Sequence, residues 1–284
     1  MGCILLIGRG SLNMPFVPIS GQHAIQEVVF IVHFDRPLAG EELDRIFELR
    51  DELANDLPKA ERSPYFQFAI GTNGPSGSVM PSASFAAAPV SIQSFKRDGS
   101  LDWRLHAAAD FVAVNCLSYS RWELVYVQAK KYLSAAMGSL IESEINIKSI
   151  VLQYIDSFKF EGDLKKYSVF DLVDRKSGYI PTSFSPNSHL WHVHVGQYES
   201  LDTEVTGSLL NRVHLDSMEA AGLVETKIDS THQYFLEESV ARKPYNFEDL
   251  QEELFAKLHL KNKSTLKELL TKQVQKIIGL VEVE

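Results

Sequence analysis

Residues 23–38 read HAIQEVVFIVHFDRPL, and this stretch carries the strongest structural signal in the sequence. Apolar residues recur at every second position, which is the period of a β-strand. One face of the predicted strand carries Val28, Phe30, Val32 and Phe34. The other face carries Ile25, Val29 and Ile31. Because both faces are apolar, we expect this strand to lie at the centre of a sheet.

The following residues predict helices and further strands around this central strand. Residues 39–57, AGEELDRIFELRDELANDL, carry apolar residues at helical spacing and precede Pro58, which predicts a helix. YFQFAI at 65–70 has the composition of a strand. Asp98-Gly99 lies between VSIQSFK and LDWRLHA and predicts a β-hairpin. Ser120 to Glu123 matches a capping box ahead of a second helix, and INIKSIVLQYIDSF predicts a long strand behind that helix.

These patterns predict an α+β fold, with antiparallel sheets backed by helices in two associated lobes. Residues 14–160 form the expected N-terminal lobe. Residues 161–188 contain scattered glycines and prolines without a regular period, and they predict a connection between the lobes. Residues 189–284 form the expected C-terminal lobe, which has three strands and ends in a long helix from about Phe247 to Ile278.

The first thirteen residues, MGCILLIGRGSLN, fit none of the motifs that they suggest. The apolar run from Cys3 to Ile7 is too short for a secretory signal. A dinucleotide-binding fingerprint that begins at Gly8 has Asn13 in place of its third glycine, and Pro15 opposes the helix that should follow. We therefore interpret residues 1–13 as a non-native or disordered extension and expect translation to start at Met14.

Composition and charge narrow the class of protein. The formal net charge of −9 over 284 residues repels a phosphate backbone, so nucleic acid is not an expected partner. Two cysteines are too few for disulfide bonds to stabilise a chain of this length. So low a cysteine content is typical of proteins in a reducing cytoplasm. No apolar run reaches the roughly 18 residues of a membrane-spanning helix. The expectation is a soluble cytoplasmic protein without a membrane partner.

Four segments together resemble a sporadically distributed family of uncharacterised bacterial and archaeal proteins of about this length. The segments are HAIQEVVFIVHF, FVAVNCLSYSRWE, IVLQYIDSF and DLQEELFAKLHLKNKSTLKELLTKQVQKIIGL. The resemblance covers most of the chain from residue 14 onward and also favours a start at Met14. It brings no catalytic residues with it. The sporadic occurrence of the family implies an accessory role in stress, mobile-element or defence contexts.

Four residues in the C-terminal half form the sharpest candidate for chemistry. His192 and His194 share one face of a predicted strand, about 6.6 Å apart along the chain. His214 and Asp216 have the same spacing in RVHLD. On adjacent strands these four side chains would suit a divalent metal such as zinc. The simpler interpretation is that all four are half-exposed strand residues, since neither HExxH nor CxxC accompanies them.

The prediction that follows is a non-catalytic binding or regulatory protein that acts with a protein partner or as a homo-oligomer. No cofactor is predicted, and no catalytic residue is identified. The alternative is a metal-dependent hydrolase or nuclease that uses His192, His194, His214 and Asp216. A third hypothesis, a nucleic-acid binder, would use the lysines of residues 257–276.

Overall fold

The computed structural model describes residues 14–21, 23–62, 88–237 and 246–280. Within these ranges ten strands form one antiparallel sheet in the order β3-β4-β5-β6-β2-β7-β10-β9-β8, and β1 pairs with β7 beside this path. The strands are β1 (Phe16–Pro18), β2 (Ile25–Phe34), β3 (Lys59–Arg62), β4 (Val90–Phe95), β5 (Leu101–Ala108), β6 (Phe111–Cys116), β7 (Ile147–Phe160), β8 (Trp191–Glu199), β9 (Gly207–Ala220) and β10 (Leu223–Leu236).

The helices pack against one face of this sheet, where they cover two apolar clusters. The helices are α1 (Gly40–Glu52), α2 (Trp122–Ser139), α3 (Phe247–Leu269) and α4 (Lys272–Ile277). Two short 3-10 helices, Leu164–Lys166 and Val169–Asp171, interrupt the segment between β7 and β8. The first cluster lies under α1, α2 and the first half of α3. The second lies under the end of α3, α4 and residues of the β7–β8 segment.

Several local predictions are confirmed. β2 is an interior strand that pairs with β6 on one side and β7 on the other. β4 and β5 form the predicted hairpin, and Gly99 adopts a φ of +84° in its turn, a conformation that glycine adopts without strain. The first predicted helix ends earlier than expected, at Glu52. The strand predicted at 65–70 lies outside the described residues.

The prediction of an α+β fold is confirmed as one large antiparallel sheet with helices, whereas two lobes are not confirmed. β7 pairs with β2 from the first half of the chain along one edge. Along its other edge it pairs with β10 from the second half, from Phe160 opposite Val224 to Ser149 opposite Phe235. The sheet is therefore continuous across the boundary that the sequence placed at residue 160.

The long C-terminal helix is supported only in part, because it is broken at Leu270. Leu270 forms an isolated β-bridge with Val173, and the Thr271 N–H donates to the carbonyl of Leu172. The Thr271 hydroxyl then accepts from the Val274 N–H and caps α4. The β7–β8 segment thus forms hydrogen bonds with backbone groups that would bond to each other in a continuous helix.

The predicted capping box of α2 does not form. The N-cap residue is Arg121, not Ser120, and its side chain makes no capping hydrogen bond. The helix begins one residue later than the motif required, so the serine and Glu123 are out of register with the backbone N–H groups that they would have satisfied.

Candidate functional site

The strand face is the side of the sheet opposite the helices. Alternation along each strand separates the two sides, and the cross-strand registers determine which residues share the strand face. Its polar members in the second half of the sheet include Gln153, Ser157, His192, His194, Arg212, His214, Asp216, Lys227, Asp229, Thr231 and Gln233. In the first half they include Glu27, His33, Arg104, His106 and Asn115. This face gathers most of the polar side chains of the strands.

The centre of the strand face is a small apolar cluster made only of strand residues. Its buried members are Val29, Ile31, Ala113 and Val151, with Phe111 packed against them. Polar side chains that surround it are also buried, among them His106, Asn115 and Gln153. The two sides of the sheet therefore differ in chemistry, since the helix side buries large apolar residues and the strand face buries mixed ones.

A carboxylate cluster crosses the middle of the strand face. The Asn115 side chain donates to Glu27 Oε1 at 2.5 Å. Burial raises the pKa of Glu27, while the Asn115 hydrogen bond and the charge of Arg104 act in the opposite direction. Ile155 of β7 lies opposite Glu27 on one side and opposite Asp229 of β10 on the other. Gln153 Nε2 lies 2.9 Å from each carboxylate oxygen of Asp229. These contacts join β6 to β2 and β7 to β10 through side chains, a structural role in which each carboxylate has an amide donor.

The four residues of the predicted metal site lie together at the outer end of the strand face. His192 is directly opposite Asp216, and His194 is directly opposite His214. The two opposed imidazole rings have their centroids 5.6 Å apart. The next strand adds Lys227 opposite Asp216 and Asp229 opposite His214. The sequence therefore placed these side chains correctly on one face of neighbouring strands.

Proximity on one face does not by itself make a metal site. Across the described ranges, no group of three or more His, Cys, Asp or Glu side chains has an arrangement that could hold a metal ion. One of the neighbouring acidic groups, Asp229, already accepts two close contacts from Gln153. His189, which precedes the strand, bonds Glu219 at 2.8 Å instead of joining the other histidines.

The outer edge of β8 is the second feature of this region. β8 pairs with β9 only, in a register without a bulge, and no described strand lies along its other edge. Its side chains alternate between buried Val193 and half-buried Val195 on one side and exposed His192 and His194 on the other. Tyr198, near its end, is 69% exposed. β8 thus offers backbone donors and acceptors next to an accessible polar row.

Sequence reasoning misplaced one titratable residue and missed a set of others. Asp156 is near the end of the segment INIKSIVLQYIDSF that predicts this strand, but in the structure it lies inside β7, which continues to Phe160, and it is on the helix side. It is buried, its Oδ2 has no hydrogen-bond partner among the described residues, and burial raises its pKa to about 7. Its position continues the period-two series of Ile150, Leu152 and Tyr154, so the sequence did contain the signal for burial.

The missed set is a polar seam between the sheet and α3. The Tyr154 hydroxyl lies 2.8 Å from His259 Nδ1, and the His259 ring stacks on Trp122 with centroids 4.0 Å apart. His232 contacts Asn262 at 3.1 Å in the same layer. Burial lowers the pKa of each of these histidines to about 4, so both are neutral at pH 7. Helical spacing of His259 and Asn262 among leucines is the signal that could have identified the seam.

Comparison with known proteins adds no family to this description. A scan against protein-family models finds none that matches the chain, and a search of curated proteins finds no match. None of the helices in the described ranges is long and apolar enough to cross a membrane. The arrangement of residues is therefore the basis for the function that we propose.

Proposed function

We propose that this chain is a non-catalytic binding protein whose protein partner adds an extended segment to the outer edge of β8. The observation that carries the proposal is the contrast between the two edges of the sheet. Strand addition at an exposed edge gives affinity through backbone hydrogen bonds and specificity through alternate side chains. The resemblance noted in the sequence suggests that such binding serves an accessory role in stress, mobile-element or defence contexts.

The edge formed by β3 has the features that discourage pairing with another chain. It is four residues long, and three of these residues, Lys59, Glu61 and Arg62, are charged. Short length and charge are the usual protections of an exposed edge. By contrast, β8 has nine residues, WHVHVGQYE, with no lysine, no proline and no bulge. Its one carboxylate, Glu199, lies at its end and contacts Lys261.

The side chains of β8 define the chemistry of the segment that would pair with it. On the helix side, Val193 and Val195 favour apolar residues opposite them. On the strand face, His192 and His194 are exposed and favour carboxylates opposite them. The partner segment is therefore an extended strand in which apolar and acidic side chains alternate.

The state of the buried nucleophilic and basic groups fits a binding role better than a catalytic one. Burial raises the pKa of the Cys116 thiol to about 12, which keeps it out of the reactive thiolate form. Burial lowers the pKa of His106 to about 3, so this imidazole does not exchange protons near neutral pH. Both side chains are buried within the sheet.

Affinity purification of the full chain from its host, followed by amide hydrogen exchange on the complex, tests the proposal. We expect a stoichiometric partner whose binding protects the β8 amides. The His192→Glu/His194→Glu variant should weaken binding at least about tenfold, because like charges would then face each other. Ser208→Glu is the matched control, since Ser208 is exposed on the strand face of β9 but lies away from the edge.

Three outcomes would overturn the proposal. They are recovery of the chain alone as a monomer, a complex in which β8 remains unprotected, and equal weakening by the control variant. Light scattering on the purified chain identifies the case in which the partner is a second copy. A homodimer that protects the β8 amides would replace the acidic partner segment with β8 of the other subunit.

A metal-dependent hydrolase or nuclease is a second candidate, favoured by the direct pairing of His192 with Asp216 and of His194 with His214. The metal content of the purified, untagged protein, measured by mass spectrometry, tests it against a His192→Ala/His194→Ala variant. About one equivalent of divalent metal that is lost in the variant would support this candidate. Metal-free wild-type protein would discard it.

A further inference from the structure

A cavity in the segment between β7 and β8 has no role in the proposed partner binding. Its volume is about 550 Å³, within the usual range for small-molecule sites. Residues 164, 165 and 167–170 line it, together with residues 185–189. Arg175 also lines it. The segment that the sequence predicted as a mere connection therefore encloses a concave site.

The charge of the cavity is opposite to that of the whole molecule. Lys165 and Arg175 line it, and no aspartate or glutamate is among its lining residues. Neither cation forms an ion pair with a carboxylate in the part of the chain that the structure describes. The charged side chains that line the cavity therefore include two cations and no carboxylate, in a protein of net charge −9.

Aromatic contacts fix the walls of the cavity. The Arg175 guanidinium lies 3.9 Å from the centroid of the Phe170 ring, and Phe184 meets that ring edge-on. The Tyr167 hydroxyl accepts a 2.8 Å hydrogen bond from Trp191 Nε1, which holds the Tyr167 ring in place. An arginine that is stacked on a ring is already ordered, so it loses less freedom when it binds an anion.

Polar groups beside these cations add hydrogen-bond donors. Ser168, Ser185 and Asn187 line the cavity, and no side-chain hydrogen bond within the described ranges occupies them. Ser188 differs, because its hydroxyl bonds the backbone of Leu190. His189 also lines the cavity, with its Nε2 directed to Glu219. Three side chains that can donate hydrogen bonds, next to two cations, match the many acceptor oxygens of a phosphate group.

We propose that this cavity binds a phosphorylated small molecule. Lys165 and Arg175 supply the charge that holds the phosphate, and the hydroxyl and amide groups donate to its remaining oxygens. The rings of Tyr167 and Phe170 provide an apolar wall for the organic part of the ligand. The site is independent of the β8 edge, so its test does not depend on the partner.

Isothermal titration calorimetry of the full chain with phenyl phosphate tests this site, with inorganic phosphate and benzyl alcohol as comparison probes. We expect saturable binding of one phenyl phosphate, weaker binding of inorganic phosphate and no binding of the neutral alcohol. Lys165→Gln and Arg175→Gln should each lower the affinity for phenyl phosphate at least about tenfold, the usual effect of losing one charge-assisted contact.

The chain offers a matched control for each variant. Lys166 and Lys176 neighbour the two cations in sequence but do not line the cavity, so Lys166→Gln and Lys176→Gln should leave the affinity within about twofold. Absence of saturable binding, or equal weakening by all four variants, would overturn the proposal. If Arg175→Gln unfolds because the Phe170 contact is lost, Lys165→Gln and its Lys166→Gln control decide the outcome alone.

Discussion

At the scale of single residues, Asp156 is an unfavourable group in the described core. It lies between Ile25 and Ile228 in the sheet, and its Oδ2 finds no hydrogen-bond donor among the described residues. Burial raises its pKa from 3.8 to about 7 because the charged form loses its hydration. The folded protein therefore tolerates this side chain best when it is protonated.

The raised pKa of Asp156 predicts a specific pH dependence of stability. At pH 3 the carboxyl is protonated in both the folded and the unfolded state and has no effect. As the pH rises from about 4 to 7, Asp156 loses its proton in the unfolded chain but keeps it in the folded protein. The free energy of unfolding therefore falls over this range. Asp156→Asn should remove this loss and be more stable than wild type at pH 8, by a few kcal/mol.

Urea unfolding of both proteins between pH 4 and 8 measures this difference. Asp202→Asn is the control, because Asp202 is exposed and should change stability little. Parallel pH profiles for wild type and Asp156→Asn would contradict the assignment of the effect to Asp156.

At the scale of elements, the start of α1 depends on one glutamate. Glu42 accepts a hydrogen bond from the Ala39 N–H at 2.6 Å and two from the Arg36 guanidinium, at 2.9 and 2.7 Å. The Arg36 hydrogen bond is the main cause that lowers the pKa of Glu42 to about 2. This carboxylate therefore joins the loop after β2 to the first turn of the helix.

Glu42→Gln should destabilise the protein by roughly 2 kcal/mol at pH 7, because the bidentate pair and its charge are lost. The Glu42 carboxylate stabilises the folded protein fully above pH 4.5, and this contribution is lost as the pH falls to about 2. The free energies of unfolding of the variant and wild type should therefore converge in strong acid. Chemical unfolding at pH 7 and pH 2.5 measures both effects. Glu41→Gln, an exposed change one residue earlier, should have little effect at either pH.

At the scale of the whole molecule, the continuous sheet predicts a single cooperative unfolding transition. β7 has partners from both halves of the chain, so neither half keeps a complete sheet when the other unfolds. Two single-tryptophan variants test this, one keeping Trp103 in β5 and one keeping Trp191 in β8, with phenylalanine at the other tryptophans. Their fluorescence transitions in urea should coincide. Two separate midpoints would instead support the two lobes expected from the sequence.

Local patterns were enough to identify most elements and one face of the site. Period-two apolar residues identified β2, and Asp98-Gly99 identified the hairpin of β4 and β5, because both signals depend on neighbours in the chain. The same period correctly placed His192 with His194 and His214 with Asp216 on one face. The sequence did not predict the cavity around Lys165 and Arg175, because an irregular segment has no period from which to infer which residues are in contact.

The sequence by itself determined most of the strands and helices, without all of their bounds, and which of their faces are apolar. Only the tertiary structure decided that β7 joins the two halves, that Leu270 breaks the last helix, and that Asp156 Oδ2 has no hydrogen-bond partner among the described residues. The physical reason is that hydrophobic periodicity records how a segment is buried, whereas strand pairing and backbone hydrogen bonds depend on residues that are distant in the chain.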